Sequence, residues 1–251
     1  ENKKITLTQV KVDPNLTFND VTKSFGDANF NLTATSSSTG AFTFTISDTT
    51  LASISGSTVS IVTAGITIAT VSQTADSKYL AATGTMTLTI NKADPTIVFN
   101  DVTKNFGDVD FDLVASSNSS GTFSFIVSDT SVATVNSSTI TIIGGGSTII
   151  TLNQAEVNNY NAGVATMTLT VNKASISITF DDLTKTYGDP NFEFTATSSS
   201  TGAFSFTISN TSIATMVDST TASIAAVGTS TVEVQQAADD NYNSSTATMT
   251  L

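Results

Sequence analysis

The sequence repeats itself with a period of 81 residues, and this periodicity constrains the fold more than any other feature. The stretch FGDANFNLTATSSSTGAF at 25–42 returns as FGDVDFDLVASSNSSGTF at 106–123 and as YGDPNFEFTATSSSTGAF at 187–204. The third copy is longer by one residue, which the spacing of matching positions predicts to lie between Met216 and Ala225. A repeat of this length indicates an array of small domains, each large enough to fold by itself.

The copies divide the chain into four predicted segments. Residues 1–10 contain KITLTQV, which resembles the TMTLTIN segment at the end of the first copy. They are therefore predicted to be the end strand of a preceding repeat or an N-terminal extension. The three repeats are predicted at 11–91, 92–172 and 173–251. Because the last copy stops short of the next linker, the pattern is also that of a piece cut from a longer tandem array.

Each copy has the pattern of short β-strands separated by turns. In the second copy, Phe123, Phe125 and Val127 occupy alternate positions, and clusters such as SSNSSG and IGGGS separate the strand-like segments. Alternation with period two, with a turn about every 8 to 12 residues, is typical of an all-β sandwich or barrel. About seven strands per copy favour an immunoglobulin-like sandwich. With short linkers at 90–95 and 171–176, we predict three tandem immunoglobulin-like β-sandwich domains in an elongated rod.

Composition argues against several classes of function. The 251 residues include no Cys, His or Trp, and all nine basic residues are Lys. The chain therefore lacks the usual general base, the thiolate nucleophile and the common zinc ligands. A net charge of −12 disfavours binding to nucleic acid and to anionic membranes. No apolar run approaches the roughly 20 residues of a membrane span. We therefore predict no enzymatic activity, no nucleic-acid partner and no membrane insertion.

Alternating carboxylates and amides after a recurring Gly resemble the start of a calcium-binding loop. Asp27 opens the series Asp-x-Asn-x-Asn, and Asp108 and Asp189 open equivalent series in the other copies. An EF-hand loop needs Gly at its sixth position and Glu at its twelfth, where the first copy has Leu32 and Ser38. Apolar residues occupy the alternate positions, so we predict a strand with one side facing water and the other facing the core. The preceding Gly-Asp is predicted to form a turn with positive φ at Gly.

Calcium binding stays open as an alternative to the main expectation of no cofactor. Asp27, Asp108 and Asp189 are one candidate set. A second set lies where the copies join, and it consists of Asp94, Asp101, Asp181 and Asp182. Hard cations require six or more oxygen ligands, and whether loop oxygens converge on these carboxylates is not visible in a sequence.

Two other residue types recur in register. One Tyr per copy follows a polar loop and precedes the last strand: Tyr79, Tyr160 and Tyr242. These residues are predicted to pack like the corner Tyr of β-sandwiches. One Lys per copy lies close to the recurring Gly: Lys23, Lys104 and Lys185. They are predicted to be solvated residues of an edge strand, which discourage aggregation. The alternative is an isopeptide bond to Asn91 or Asn172, although no buried acid is evident.

Several motifs together resemble bacterial immunoglobulin-like tandem repeats of large cell-surface adhesins of the Bacteroidetes gliding type. They are Phe/Tyr-Gly-Asp, the Ser/Thr–Gly turn, Gln followed six residues later by Tyr, and TMTLTxNKA. The resemblance covers nearly all of the chain. It implies an extracellular protein on the bacterial cell surface, whose non-catalytic repeats act as a semi-rigid stalk that presents adhesive regions for surface attachment or gliding.

The resemblance also implies the partners. These are neighbouring repeats of the same chain, and surface polysaccharide, host or substratum as further candidates. The alternative function is direct binding of glycan or polysaccharide through sheet faces or loops. It is less favoured, because only 8% of the residues are aromatic and Trp is absent.

Overall fold

Alternating β-branched and polar residues form strands throughout residues 9–251, which are the residues that this computed structural model describes. Every regular element in this range is a strand, so the prediction of an all-β fold is confirmed. The described residues form two units, one of 9–97, 117–123 and 153–164, the other of 98–116, 124–152 and 165–251. The repeat boundaries at 11–91, 92–172 and 173–251 stay a prediction. The strand predicted at 1–10 lies outside the described residues except for its last two.

The first repeat contains seven strands arranged in two sheets. They are β1 Val21–Ser24, β2 Phe30–Asn31, β3 Phe42–Ile46, β4 Ala52–Ser55, β5 Thr58–Ile61, β6 Gly65–Gln73 and β7 Ala82–Asn91. The order is β1-β7-β6-β3 in one sheet and β2-β5-β4 in the other. Strands C, F and G of an immunoglobulin domain share one sheet, and strands B, E and D share the other. Since β3-β6-β7 and β2-β5-β4 have these positions, the topology is immunoglobulin-like.

The same order of strands returns along the rest of the chain. The next strands are β8 Ile97–Val98, β9 Val102–Asn105, β10 Phe111–Asp112, β11 Ser116–Ser117, β12 Phe123–Val127, β13 Ala133–Asn136, β14 Thr139–Ile142, β15 Gly146–Gln154 and β16 Gly163–Asn172. The last are β17 Phe192–Glu193, β18 Phe204–Ile208, β19 Ala214–Met216, β20 Thr221–Ile224, β21 Thr231–Gln236 and β22 Ser245–Thr250. Sheets β10-β14-β13 and β12-β15-β16-β9 match those of the first repeat, and β17-β20-β19 matches its smaller sheet. Sheet β18-β21-β22 has three strands and lacks the edge strand that corresponds to β1 and β9.

Alternation along the strands places apolar side chains between the two sheets. In the first repeat, Leu32, Val59, Leu88 and Ile90 are 0–3% exposed, while Asn31 faces solvent. In the third, Phe194 and Phe206 belong to an equivalent cluster with Val232 and Val234. The prediction that the Asp-x-Asn-x-Asn strand has one solvent-exposed side and one apolar, buried side is therefore confirmed. Among residues 9–251 there is no helix that could serve as a membrane span.

The recurring Gly-Asp forms a tight turn, as predicted. Gly26 has φ +90°, and Gly107 and Gly188 have φ +87° and +96°, a region that favours Gly. The one-residue insertion of the third repeat lies in the hairpin between β19 and β20. That loop has four residues, 217–220, where the hairpins of the other repeats have the two-residue loops 56–57 and 137–138.

Candidate functional site: the contacts between successive repeats

The carboxylates that suggested calcium ligands already accept hydrogen bonds from the protein. Asp27 Oδ2 accepts the Ser24 N–H at 2.9 Å, which closes the turn around Gly26, and Asp108 and Asp189 make the same bond in the other repeats. Further along the series, Asn31 Oδ1 accepts from Thr58 Oγ1 at 2.7 Å, across the β2–β5 pair. The series therefore closes a turn and pairs two strands.

The second candidate set is also used in hydrogen bonds, apart from exposed Asp181. Asp94 Oδ1 accepts from Asn161 Nδ2 at 2.7 Å. Asp101 and Asp182 accept the main-chain N–H groups of Thr168 and Thr250 at 2.7 and 2.6 Å. Within residues 9–251, no three acidic side chains lie close enough together to hold a metal ion.

The aromatic residue of the Phe/Tyr-Gly-Asp turn contacts the following repeat. In the first unit, the ring of Phe25 meets the ring of Tyr160 edge to face, with centroids 5.5 Å apart and an interplanar angle of 79°. In the second unit, Phe106 and Tyr242 repeat this contact at 5.4 Å and 82°. Edge-to-face pairs at such distances are favourable because the positive ring edge meets the negative ring face.

The prediction that these residues act as corner Tyr residues is wrong, because they do not occupy the position of a corner Tyr. The corner Tyr of a sandwich lies near the start of strand F. Here Tyr79 and Tyr160 follow strand F, in the loops between β6 and β7 and between β15 and β16. The loop between strands F and G is the part of a repeat that reaches the preceding repeat, so the ring packs between repeats rather than at a corner within one.

An Asn next to the Tyr makes the second contact between repeats. Asn159 Oδ1 accepts the N–H of Ala64, in the loop before β6, at 2.9 Å. Asn241 Oδ1 accepts the N–H of Gly145, in the loop before β15, also at 2.9 Å. In the first repeat the equivalent residue is Lys78. This substitution matters because Lys carries donors and no acceptor.

The linker provides the third contact, because its main chain forms hydrogen bonds both with the repeat before it and with the repeat after it. Phe25 N–H donates to Asn91 O at 2.9 Å, next to the parallel β1–β7 pair. Two residues later, Ala93 N–H donates to Asn159 O, and Ala93 O accepts the N–H of Asn161, both at 2.9 Å. Ala174 makes the equivalent two bonds with Asn241 and Asn243. A short strand-like linker is thus bonded to the repeat before it and to the loop of the repeat after it.

A carboxylate organises the loop that carries the Asn-Tyr pair in the third repeat. Asp239 accepts bonds from Thr201 N–H, from Ser200 Oγ and from the N–H groups of Asn241 and Tyr242, at 2.8–2.9 Å. These bonds, led by that of the Thr201 amide, hold the pKa of the Asp239 carboxyl well below its usual range. Asp76 has the same arrangement in the first repeat, with its pKa lowered chiefly by the Lys78 amide.

The second repeat holds its loop differently. Val157 occupies the position of the Asp, so no carboxylate at this position joins the Ser/Thr–Gly turn to the loop between strands F and G. The Val157 N–H still donates to Tyr160 O at 3.0 Å, and Glu156 forms an ion pair with Lys92 of the linker. The Glu156 side chain is 58% exposed, and exposed pairs contribute roughly 0–1 kcal/mol. The geometry of the Asn-Tyr pair therefore tolerates two different ways of supporting the loop.

A buried Gln at the end of strand F anchors the Ser/Thr–Gly turn. Gln236 Nε2 donates to Ser200 O and Gly202 O at 3.1 and 2.9 Å, and its Oε1 accepts from Ser198 Oγ at 2.6 Å. Gln154 makes the equivalent three bonds. In the first repeat Ser36 turns to Pro14 O instead, and the Oε1 of buried Gln73 has no hydrogen-bond partner among the described residues.

The recurring Lys residues are not simply solvated. Their ammonium groups lie over the Phe ring that begins the next strand, at 4.7–5.2 Å from its centroid, in the pairs Lys23–Phe30, Lys104–Phe111 and Lys185–Phe192. At such distances the cation is attracted to the ring face. The predicted edge position is confirmed for Lys23 and Lys104, because β1 and β9 lie at the edges of their sheets. It is wrong for Lys185, which lies outside the regular strands.

The sequence contains one indication of the contact between repeats, which is the residue that precedes the recurring Tyr. Asn-Tyr occurs in the loop of the second and third repeats, and Lys-Tyr occurs in the first. Phe25 and Phe106 were visible as members of a recurring motif, but their partners lie in the next copy. Each Phe therefore pairs with the Tyr of the next copy, not with the Tyr of its own copy.

Comparisons with known proteins concern the fold alone. No protein-family model matches the sequence, and no curated protein matches it. Among solved structures, Drosophila N-cadherin EC1-4 aligns with a TM-score of 0.31 and 10% identity, over 95% of this chain and 73% of that chain. The titin fragment I67-I69 gives 0.34 and 11%, over 94% and 96%. The S-layer protein SbsC gives 0.32 and 14%, over 96% of this chain and 40% of its own. Similarities of this size carry no inference about function.

Proposed function

We propose that this chain is a non-catalytic repeat segment of a bacterial cell-surface adhesin. In this proposal it is a semi-rigid stalk or spacer that presents adhesive regions for surface attachment or gliding. The observation that supports it most directly is that the same three contacts join successive repeats twice along the chain: the paired linker, the Phe–Tyr ring pair and the Asn side-chain bond.

These contacts restrain bending at a junction because they act at different points. The linker is bonded on both sides, the rings pack against the Gly-Asp turn, and the Asn reaches the loop before strand F. Reorienting one repeat against the next requires at least one of them to break. A ring pair contributes about 0.5–1.5 kcal/mol and a net hydrogen bond about the same, so each junction is held by a few kcal/mol. A flexible Gly/Ser tether would offer no such resistance.

The remaining parts of the proposal concern location, cofactor and partners. We place the chain outside the cell, on the bacterial surface, following the resemblance of its motifs to adhesin repeats. No cofactor is part of the proposal, and this is supported by the hydrogen bonds that Asp27, Asp94, Asp101 and Asp182 already accept. The partners are neighbouring repeats, while host, substratum or polysaccharide would be contacted by other regions. Direct glycan binding by these repeats stays an untested alternative.

The distribution of distances between two repeats tests the proposal. Because the chain has no Cys, spin labels can be attached at Ser53→Cys and Thr134→Cys, both at exposed positions, and read by pulsed electron resonance. A stalk gives a narrow distribution that widens when Asn159→Ala and Tyr160→Ala are combined. Tyr79→Ala is the matched control, because it removes the same side chain from a loop that follows no described repeat. A broad distribution before any junction substitution would refute the spacer function.

A further inference from the structure

Two of the three repeats use one carboxylate to join the Ser/Thr–Gly turn to the loop between strands F and G. In the third repeat, Asp239 Oδ1 accepts two N–H groups of the loop, those of Asn241 and Tyr242, at 2.9 and 2.8 Å. Its Oδ2 accepts the hydroxyl of Ser200 and the N–H of the next residue of the turn, both at 2.8 Å. Asp76 divides its two oxygens in the same way in the first repeat. One oxygen of a planar carboxylate thus binds the loop, and the other binds the turn.

The second repeat keeps the framework of this arrangement without the carboxylate. Val157 stands in place of the Asp, and its N–H donates to Tyr160 O at 3.0 Å. The N–H groups of Asp76 and Asp239 donate to the Tyr of their own loops in the same way, at 3.2 and 3.1 Å. In the turn, Gln154 Nε2 donates to the same two carbonyl groups as its counterparts in the other repeats. The turn and the loop are therefore held by the same hydrogen bonds in all three repeats.

The donors that bind the carboxylate in the other repeats have no acceptor in the second. Three of them are the N–H groups of Ser120, Asn159 and Tyr160, none of which donates to a group within residues 9–251. The fourth is the hydroxyl of Ser119, which accepts the Gly121 N–H at 3.3 Å but donates to no group in the described part of the chain. Because Ser119 is only 9% exposed, an unpaired hydroxyl there is unfavourable unless an acceptor occupies the site.

An open groove lies between the turn and the loop of this repeat. It is lined by Asn118 and Ser120 of the turn and by residues 156–160 of the loop. The side chain of Val157 therefore does not fill the space between the two segments. The acidic residue of the lining is Glu156, and its carboxylate is paired with the ammonium group of Lys92. The groove thus offers donors from both sides, and the negative charge at its edge is compensated.

A site built of donors selects an anion, and the arrangement of these donors selects a carboxylate. A water molecule must place two hydrogens of its own, whereas an ionised carboxylate only accepts. Successive main-chain N–H groups in a turn are a common form of anion site. In the other repeats, the same donors lower the pKa of the Asp76 and Asp239 carboxyls, led by the N–H of Lys78 and of Thr201 respectively. The donor set therefore stabilises the charged form of a carboxyl group.

We propose that the groove of the second repeat is a binding site for the carboxylate of a small external monocarboxylate. One oxygen accepts the N–H groups of Asn159 and Tyr160, and the other accepts the hydroxyl of Ser119 and the N–H of Ser120. The net charge of −12 disfavours a polyanion, which is why the ligand class is a monocarboxylate. This site goes beyond the proposed stalk function. It uses the main chain of Asn159 and Tyr160, whose side chains make the contacts with the first repeat.

Titration of the whole chain with sodium acetate at constant ionic strength, followed by the NMR shifts of its amides, tests the site. The amides of Ser120, Asn159 and Tyr160 should shift together and saturate, with half-saturation on the order of 10 mM for so small a ligand. The amides of Thr39 and Thr201 are matched controls, because they already donate to Asp76 and Asp239, and they should not shift. No saturable shift at Ser120, or an equal shift at all three turns, overturns the proposal.

Two other anions define the ligand class. Sulfate is tetrahedral and does not match two donor pairs that are arranged for one planar group, so its shifts at Ser120 should be about fivefold smaller than those of acetate. Polygalacturonate carries the same group on a polyanion, and at equal carboxylate concentration it should also shift Ser120 less than acetate does. A larger response to either anion contradicts the assignment to a monocarboxylate.

Three substitutions examine the donors and the competing carboxylate. Val157→Asp supplies the carboxylate from within the chain, so it should shift the Ser120 amide without acetate and abolish the response to acetate. Asp239→Val is the reciprocal change, and the folded variant should gain a response at Thr201; if this variant does not fold, Val157→Asp decides the question. Glu156→Gln removes a negative charge from the lining and should tighten acetate binding roughly twofold. A response that appears only in Glu156→Gln would mean that Glu156 itself fills the site, and the external ligand would be refuted.

Discussion

The edge-to-face pair at the second junction should couple two repeats energetically, and a double-mutant cycle measures the coupling. Phe106 and Tyr242 have ring centroids 5.4 Å apart and belong to different repeats, 136 positions apart in sequence. Replacing either ring by Leu keeps an apolar side chain but removes the ring-to-ring geometry. Such pairs contribute about 0.5–1.5 kcal/mol beyond the burial of area, so we expect a coupling free energy of about 1 kcal/mol between Phe106→Leu and Tyr242→Leu.

The assay is urea unfolding of the four chains of the cycle, fitted with a nearest-neighbour model because tandem domains do not unfold as one two-state unit. The control is the pair Phe25→Leu and Tyr79→Leu, with the same residue types in the same chain. Phe25 contacts Tyr160 rather than Tyr79, so the two control substitutions should be additive. If both pairs give coupling energies within about 0.3 kcal/mol of each other, the ring pair does not join the repeats and the reasoning is refuted.

Three further outcomes follow from individual residues. Ser198→Ala should lower the free energy of unfolding of the third repeat by about 1–2 kcal/mol, because it leaves Oε1 of buried Gln236 unpaired. The control is Ser36→Ala, since the Ser36 hydroxyl donates to a main-chain carbonyl instead. This control should shift the urea midpoint less than Ser198→Ala does. Gly202→Ala should be destabilising by about 3 kcal/mol in thermal unfolding, since its Cβ would lie 1.9 Å from a carbonyl oxygen. Because the pKa of Asp239 is lower in the folded chain than in the unfolded chain, its ionised carboxylate stabilises the fold at pH values above about 4, the pKa of an unfolded Asp. The free energy of unfolding should therefore fall as the pH decreases below about 4. Asp239→Asn should flatten this part of a melting-temperature profile against pH, and an unchanged slope would contradict the assignment.

Much of the fold could be predicted from local patterns. The alternation of Phe30 and Leu32 with Asn31 predicted a half-buried strand, and the structure has β2 there with Leu32 buried and Asn31 in solvent. The Gly-Asp turn was predicted from the need for positive φ and is present with Gly26 at +90°. Both depend only on neighbours in sequence, whose side-chain directions follow from the geometry of a strand or a turn.

The roles of single recurring residues were predicted less well, for a physical reason. Lys23 was expected to be solvated and lies over the ring of Phe30, because a β-strand and its turn bring a residue seven positions away into reach. Tyr160 was expected to pack like a corner Tyr within its own sandwich and instead meets Phe25 of the preceding repeat. In each case the residue type indicated a packed or charged side chain, but its partner depends on where loops from separate strands meet.

The sequence by itself thus determined the period, the strands, the turns and the immunoglobulin-like class, since each follows from composition and spacing along the chain. Only the tertiary structure decided that the Phe/Tyr-Gly-Asp turn faces the Asn-Tyr loop of the next copy. The contact between Asn159 and Ala64 joins residues 95 positions apart. The pattern of residues within a single copy does not show which of its exposed loops contacts the neighbouring copy. The recurring motif is therefore a building block within each repeat and, through its aromatic residue, the place where one repeat meets the next.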